Sequence, residues 1–314
     1  MVNLPELTCY YNGEFIKESE IKLKPLDKIM RGSGVFDVGR TYNHKTFFWK
    51  EHIDRLYRSL SYCKIDPGMT QEKMYDIHLE VLRRNEENLD PGDDFVIMPL
   101  ASGGTSEYYL GPISATPTIL INCAHLSPIY PEEAKFYREG IHLVVVSHRQ
   151  YPPDALSSQV KHCSRLNLYK ADQEARMVDP EAFALLLDCR GFITEGTGFN
   201  VLWVKDGKLF LPTPENILPG VTQSVVLGLA KELGIDVVRG NYTVYDLYAA
   251  DEIFRTGTSY TITAVSKFNE RAMPKPIPGP VTQRLFSTFC ELVGVDLIER
   301  VQHVISYDKA KVRR

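Results

Sequence analysis

Apolar residues recur at helical spacing from Glu51 onward, where Ile53, Leu56, Tyr57 and Leu60 share one face. That period predicts an amphipathic helix over 51–63. Thr70 suits an N-cap, and Met74, Ile77, Val81 and Leu82 behind it mark a second helix. Elsewhere the apolar runs are short. Residues 95–101 and 118–124 read as strands, and 9–16 as a hairpin turning at Asn12-Gly13. Arg31-Gly32-Ser33-Gly34 is a glycine-punctuated turn into a strand at Val35-Phe36-Asp37. Residues 102–109 form a polar, glycine-bearing loop between two strands.

The second half opens with a β-branched strand at 141–147. The stretch ahead of it is rich in Pro and charge, lacks an apolar period, and reads as a linker. Residues 160–200 run from Lys161-His162-Cys163 through a polar helical segment to an apolar strand at 182–187, and end at Thr194-Glu195-Gly196-Thr197-Gly198-Phe199-Asn200. A strand at 199–205 turns at Asp206-Gly207, and Pro219-Gly220-Val221-Thr222 leads into a helix stopped by Gly234. A strand at 252–256 ends on Gly257-Thr258-Ser259, and a last helix from Pro280 carries Leu285, Phe286, Phe289 and Leu292. Hairpins mixed with helices predict an α+β fold of two domains: a smaller N-terminal domain over 1–125, a linker over 126–140 and a larger C-terminal domain over 141–314.

Composition narrows the classes. The 314 residues are 44% hydrophobic, enough for two cores, and carry a net charge of −4 without a basic stripe, which argues against nucleic acid as a partner. No apolar run reaches the ~18 residues of a membrane span, and residues 1–6 resemble neither a signal nor a transit peptide. The six cysteines are scattered with no CxxC, as expected of reduced thiols in a cytoplasmic protein.

Two residues stand out chemically. A lysine held against apolar strands can lose its proton and condense with an aldehyde, which is the role open to Lys161. A carboxylate against a pyridine nitrogen keeps that ring an electron sink, the role open to Glu195. Together they point to a pyridoxal phosphate (PLP) enzyme. A lone lysine is more often a solvated surface group, and Lys170 is the nearest competitor, in a charged helical run. Val221 and Thr222 at a helix start offer N–H groups to a phosphate, or an ordinary N-cap. Residues 255–259 read either as a second anion nest or as a polar turn. Arg55 suits a phosphate, although a surface salt bridge is the commoner fate of such a residue. His52 and His162 lack ligand spacing such as HExxH, so no metal is expected, and GxSxG and GxGxxG are absent.

Taken in order, Gly34-Val35-Phe36-Asp37, Glu51-His52-Ile53-Asp54-Arg55-Leu56, Lys161, Thr194 to Asn200, Leu218-Pro219-Gly220-Val221-Thr222 and Asp251-Glu252-Ile253-Phe254 with Gly257-Thr258 resemble the class IV, or fold-type IV, PLP-dependent aminotransferases. That family holds the branched-chain and D-amino-acid aminotransferases, the (R)-selective amine transaminases and aminodeoxychorismate lyase. The resemblance implies a D-amino-acid-aminotransferase-like fold with a small N-terminal α/β domain and a large C-terminal pseudo-barrel domain, which enclose a site completed in a homodimer. It implies that Lys161 binds the cofactor covalently and shuttles a proton, that Glu195 pairs with the pyridine nitrogen, and that Arg55, Val221, Thr222, Gly257 and Thr258 hold the phosphate.

Some positions depart from the branched-chain pattern. Leu166 stands where those enzymes usually have a Tyr that bonds the cofactor's phenolic oxygen, and Met98 lies in the strand that usually carries a carboxylate-binding Arg. Arg31, in a position where the usual families have Tyr or Phe, is similar to a less common group of D-amino-acid transaminases. The substrate is therefore expected against Arg31, Phe36, Met98 and Ser259, with Arg40 as the second candidate for its carboxylate. The reaction expected is ping-pong transamination from a D-amino acid, a branched-chain amino acid or an (R)-primary amine to an α-keto acid. Its rivals are a lyase acting on an aminodeoxychorismate-like substrate and a non-catalytic small-molecule-binding protein on the same fold.

Overall fold

Asn12 and Gly13 both take positive φ, 49° and 108°, and turn β1 (Thr8–Tyr11) directly into β2 (Glu14–Lys17). This hairpin edges the first of two compact units into which the chain divides. The computed structural model describes residues 4–108, 111 and 116–312, the last six by backbone alone; Tyr109, at the end of the 102–109 loop, lies outside them.

The first unit takes in residues 1–128 together with 160–165. Its further strands are β3 (Gly34–Phe36), β4 (Gly39–Tyr42), β5 (Lys45–Thr46), β6 (Phe95–Ser102) and β7 (Thr118–His125), in the sheet order β2-β1-β7-β6-β4-β5 with β3 also on β6. Both predicted helices form: α1 (Trp49–Tyr62) and α2 (Gln71–Asn85), the second capped by Thr70, whose hydroxyl accepts the Lys73 N–H at 3.2 Å. Ile53, Leu56 and Leu60 of α1 and Met74, Ile77 and Val81 of α2 pack with Val35, Phe95 and Ile97 as one core. A Cβ on Gly39 would collide with the Trp49 ring, so that glycine lets α1 start against the sheet.

The second unit, residues 129–159 and 166–314, departs from expectation at its start and its end. The stretch read as linker holds a helix, α3 (Tyr130–Glu139), which buries Tyr130, Glu133 and Phe136. Then come β8 (Ile141–Arg149), α4 (Leu166–Val178), β9 (Phe183–Leu187), β10 (Ile193–Gly196), β11 (Phe199–Lys205) and β12 (Lys208–Pro212). After them lie α5 (Val221–Glu232), β13 (Val237–Gly240), α6 (Val244–Tyr248), β14 (Glu252–Gly257), β15 (Thr261–Phe268), β16 (Arg271–Ala272) and α7 (Pro280–Val293). The helix at Pro280 is not the last, because α8 (Leu297–Val312) follows, and Leu292 sits half-exposed rather than on the buried face. The sheet runs β10-β9-β8-β15-β14-β11-β12-β13, and β10 also pairs with β11. Six strands therefore close into a ring, the pseudo-barrel of an α+β fold. No described helix is long and apolar enough to cross a membrane.

The first unit's core buries a titrating group whose ring is only half satisfied. His78 is buried against the Trp49 ring, 4.8 Å between centroids, and its Nε2 has no partner among the described residues. Burial pushes its imidazole down to about 4 from 6.5, against a hydrogen bond to the Met74 carbonyl. The folded pKa is depressed, so between pH 6.5 and 4 the unfolded chain binds the extra proton and stability falls as pH falls. At about 1.4 kcal/mol per pH unit, His78→Phe should remove roughly 2 kcal/mol of the loss between pH 7 and 5. Urea midpoints of parent and variant at both pH values check this.

Candidate active site

His52, Arg55 and Ser59 lie at i, i+3 and i+7 on α1, and all three are buried. His52 and Arg55 meet Asp37, which follows β3 and is 0% exposed. Arg55 Nε donates to Asp37 Oδ2 at 2.9 Å and Nη2 donates to Oδ1 at 2.7 Å. His52 Nδ1 stands 2.8 Å from Oδ1; a carboxylate only accepts, so Nδ1 carries the ring proton. The Val38 N–H adds a fourth donor at 2.7 Å. Burial alone would raise the Asp37 carboxyl, but the Arg55 charge and the hydrogen bonds from His52 and Arg55 outweigh it and hold the group far below the usual carboxylate range. Burial pushes the His52 imidazole down despite Asp37, so the ring is neutral near pH 7. Arg55 is thus no surface salt bridge.

The same helix reaches Lys161. Ser59 Oγ donates to the Arg55 carbonyl at 3.1 Å and accepts the Lys161 N–H at 3.2 Å. The Lys161 carbonyl accepts the Phe36 N–H at 3.0 Å, and the Cys163 N–H donates to the Gly34 carbonyl at 2.9 Å, so residues 160–165 run antiparallel to β3. Lys161 is half-buried, with Nζ 4.9 Å from the centre of the Phe36 ring. Lys170, its competitor, is exposed and bonded to Gln173 at 2.9 Å. Phe36 lies opposite Leu100, and Arg40 opposite Val96. Strand alternation places Phe36, Arg40 and Met98 together on the sheet face that α1 and α2 leave uncovered. Arg40 is buried, gives Nε to the Thr41 carbonyl at 3.3 Å and lies 4.3 Å from the Tyr42 ring centre. Arg31 is exposed at the end of a single 3-10 turn, Lys28–Arg31, stopped by Gly32 at φ 76°.

In the second unit Glu195 sits where the ring of strands closes, opposite Asn200 in the β10–β11 pair, and is 8% exposed. Its Oε1 accepts Gln150 Nε2 at 3.1 Å, and its Oε2 accepts Asn200 Nδ2 at 3.0 Å and the Leu218 N–H at 2.9 Å. Asn200 also donates to the Leu218 carbonyl at 3.0 Å and pairs across the next strand with Thr256. Gly220 caps α5, and Val221 and Thr222 open it, both buried. First-turn N–H groups of a helix have no intrahelical partner and sit at the positive end of its dipole.

Residues 34–268 match the family described as Amino-transferase class IV. The chain belongs to the class IV aminotransferases. It is 38% identical over 289 residues to a putative branched-chain-amino-acid aminotransferase of Methanocaldococcus jannaschii, covering 91% of this chain and 96% of that protein. Against the branched-chain-amino-acid aminotransferase of Escherichia coli K12 the identity is 30%, over 89% and 91% of the two chains. Among solved structures, the T.th. branched-chain amino acid aminotransferase complexed with N-(5′-phosphopyridoxyl)-L-glutamate superposes with a TM-score of 0.82 at 27% identity, covering 95% and 96%.

Within this aminotransferase the residues fit a phosphorylated pyridine aldehyde. The first unit carries the Lys161 amine and the second the buried Glu195 carboxylate, two groups that such an aldehyde could use. Gln223 Nε2 and Thr256 Oγ1, the latter on the strand partner of Asn200, are buried with no hydrogen-bond partner among the described residues, a surplus of polar hydrogens that an anion would use. Gly257 ends β14 and Thr258 and Ser259 follow it, before β15. No group of three or more metal-binding side chains occurs among the described residues. Asp37, Ser59, Gln150 and Asn200 received no role from the sequence. Asp37 and Asn200 stood inside quoted motifs, whereas Gln150 and Ser59 carried no local signal.

Gly220 tests the clamp on Glu195. A Cβ there would run into Asn200 Oδ1, the amide that holds both Glu195 and Leu218. Gly220→Ala should destabilise the protein by about 1–3 kcal/mol, the usual range for overpacking. Chemical denaturation of parent and variant reads that difference.

Proposed function

We propose that this aminotransferase carries PLP on Lys161, with Glu195 against the pyridine nitrogen, and exchanges amino groups between amino acids with apolar side chains and α-keto acids. The observation that carries the reading is the clamp on Glu195: three donors, from Gln150, Asn200 and Leu218, fix a buried carboxylate in one orientation. When bound, the cofactor takes up the amino group and delocalises the electrons released at the substrate carbon. Lys161 holds the cofactor through Nζ and moves the proton at that atom. Glu195 keeps the ring nitrogen protonated. Arg55, the Val221 and Thr222 N–H groups and the Gly257–Thr258 turn hold the phosphate.

Phe36 and Met98 form an apolar wall for the substrate, and Ser259 is a further candidate contact for it. The branched-chain names of the relatives support an aliphatic donor. A substrate carboxylate taken from water needs a cation or several N–H donors. We assign that role to Arg31, which stands exposed at the end of its 3-10 turn beside Gly32, with Arg40 as the second candidate.

Borohydride reduction followed by peptide mapping should place the cofactor on Lys161. A label on the Lys170 peptide would refute the assignment. Lys161→Ala should keep its fold and lose turnover by orders of magnitude, since covalent catalysis through that amine has no substitute.

The carboxylate assignment is tested by half-reactions with single donors. Arg31→Leu should weaken use of L-leucine and of α-keto acids, and spare (R)-1-phenylethylamine, which has no carboxylate. If Arg40→Leu shows that selectivity and Arg31→Leu does not, the role passes to Arg40.

A further inference from the structure

Asp37 receives four hydrogen bonds, from Arg55 Nε and Nη2, His52 Nδ1 and the Val38 N–H, while wholly out of solvent. Burying an ion pair is expensive, and apolar side chains of the same volume often fill such a space at no loss of stability. What apolar residues would not supply is orientation. A guanidinium is planar and offers its N–H donors as a rigid fork. With Nε and Nη2 given to Asp37, both the plane of Arg55 and the direction of its opposite edge are set. The arrangement is buttressed in turn. The His52 ring stacks on Trp49, 5.4 Å between centroids with planes 30° apart, so His52 meets Asp37 from a fixed direction. Because His52 is neutral, the cluster of Asp37, His52 and Arg55 has no net charge.

We propose that Asp37, supported by His52, is a positioning residue that makes Arg55 an oriented donor on a charge-compensated pair, so that the cofactor phosphate is recognised by hydrogen-bond geometry rather than by net charge. The inference rests on the assignment of Arg55 to the phosphate. It predicts that charge without the fork is of little use, and that extra positive charge does not help.

Binding of PLP, with inorganic phosphate as competitor, is measured by fluorescence titration on the full-length apoenzyme at low and high salt. Arg55→Ala should weaken PLP by roughly 10- to 150-fold, as for loss of one charge-assisted hydrogen-bonding contact. Arg55→Lys keeps the charge and loses the fork, and should fall within about threefold of Arg55→Ala. Asp37→Asn adds one positive charge to the cluster, yet should weaken PLP by about tenfold and steepen the salt dependence of binding. The inference is overturned if Arg55→Lys binds within about twofold of the parent, or if Asp37→Asn binds as tightly or more tightly. Should Asp37→Asn fail to fold by circular dichroism, Arg55→Lys decides alone, because a lysine can still pair with Asp37. If Arg55→Ala itself leaves affinity unchanged, the phosphate assignment falls and this inference with it. If Arg55→Ala weakens binding while the other two variants do not, only the positioning role falls.

Discussion

The first unit's chemistry depends on a pairing between pieces of chain far apart in sequence, residues 160–165 against β3. Two backbone hydrogen bonds, Phe36 to Lys161 and Cys163 to Gly34, fix the register. An extended chain sends successive side chains to opposite sides, so the register decides that Lys161 lies over Phe36. A Cβ on Gly34 would press on Ile29 and on the Ala101 carbonyl, so that glycine lets β3 lie close against β6. Ser59 then ties Lys161 to the helix that carries Arg55. A slip of one residue would turn the amine to the wrong side and break the bond to Ser59 together.

The second unit solves a different problem, that of holding a carboxylate out of water. Glu195 lies on the strand pair that closes the ring, and its neighbours are an amide from β11, an amide just past β8 and the N–H of Leu218. Asn200 bonds both Glu195 and the segment leading to α5, so the carboxylate and the helix start share one support. Buried polar networks of this kind define one arrangement only when every member is satisfied.

Periodic segments were legible. The 51–63 and 70–82 stretches became helices with the expected buried faces, and the apolar runs at 95–101 and 118–124 became adjacent strands. The helix at Tyr130–Glu139 was hidden because its buried stripe is Tyr130, Glu133 and Phe136, one of them a charged residue. Arg55 looked like a surface residue because its partner Asp37 lies 18 positions away and meets it only in the folded chain. Gln150 is 45 positions from Glu195, too distant for any local pattern to join them. Motifs were readable because each is contiguous; the supports behind them were not, because folding assembles them.

The two sides of β3 divide the labour between neighbouring residues. Asp37 turns toward α1 and its buried pair, whereas Phe36 shares the opposite face with Arg40 and Met98. Replacements on that opposite face alter what lies against Phe36 without entering the buried hydrogen-bond cluster. A lineage built on this sheet is free to drift in the compounds it accepts while its buried anchor stays the same, and the raw material for such divergence is three side chains on one side of a ribbon.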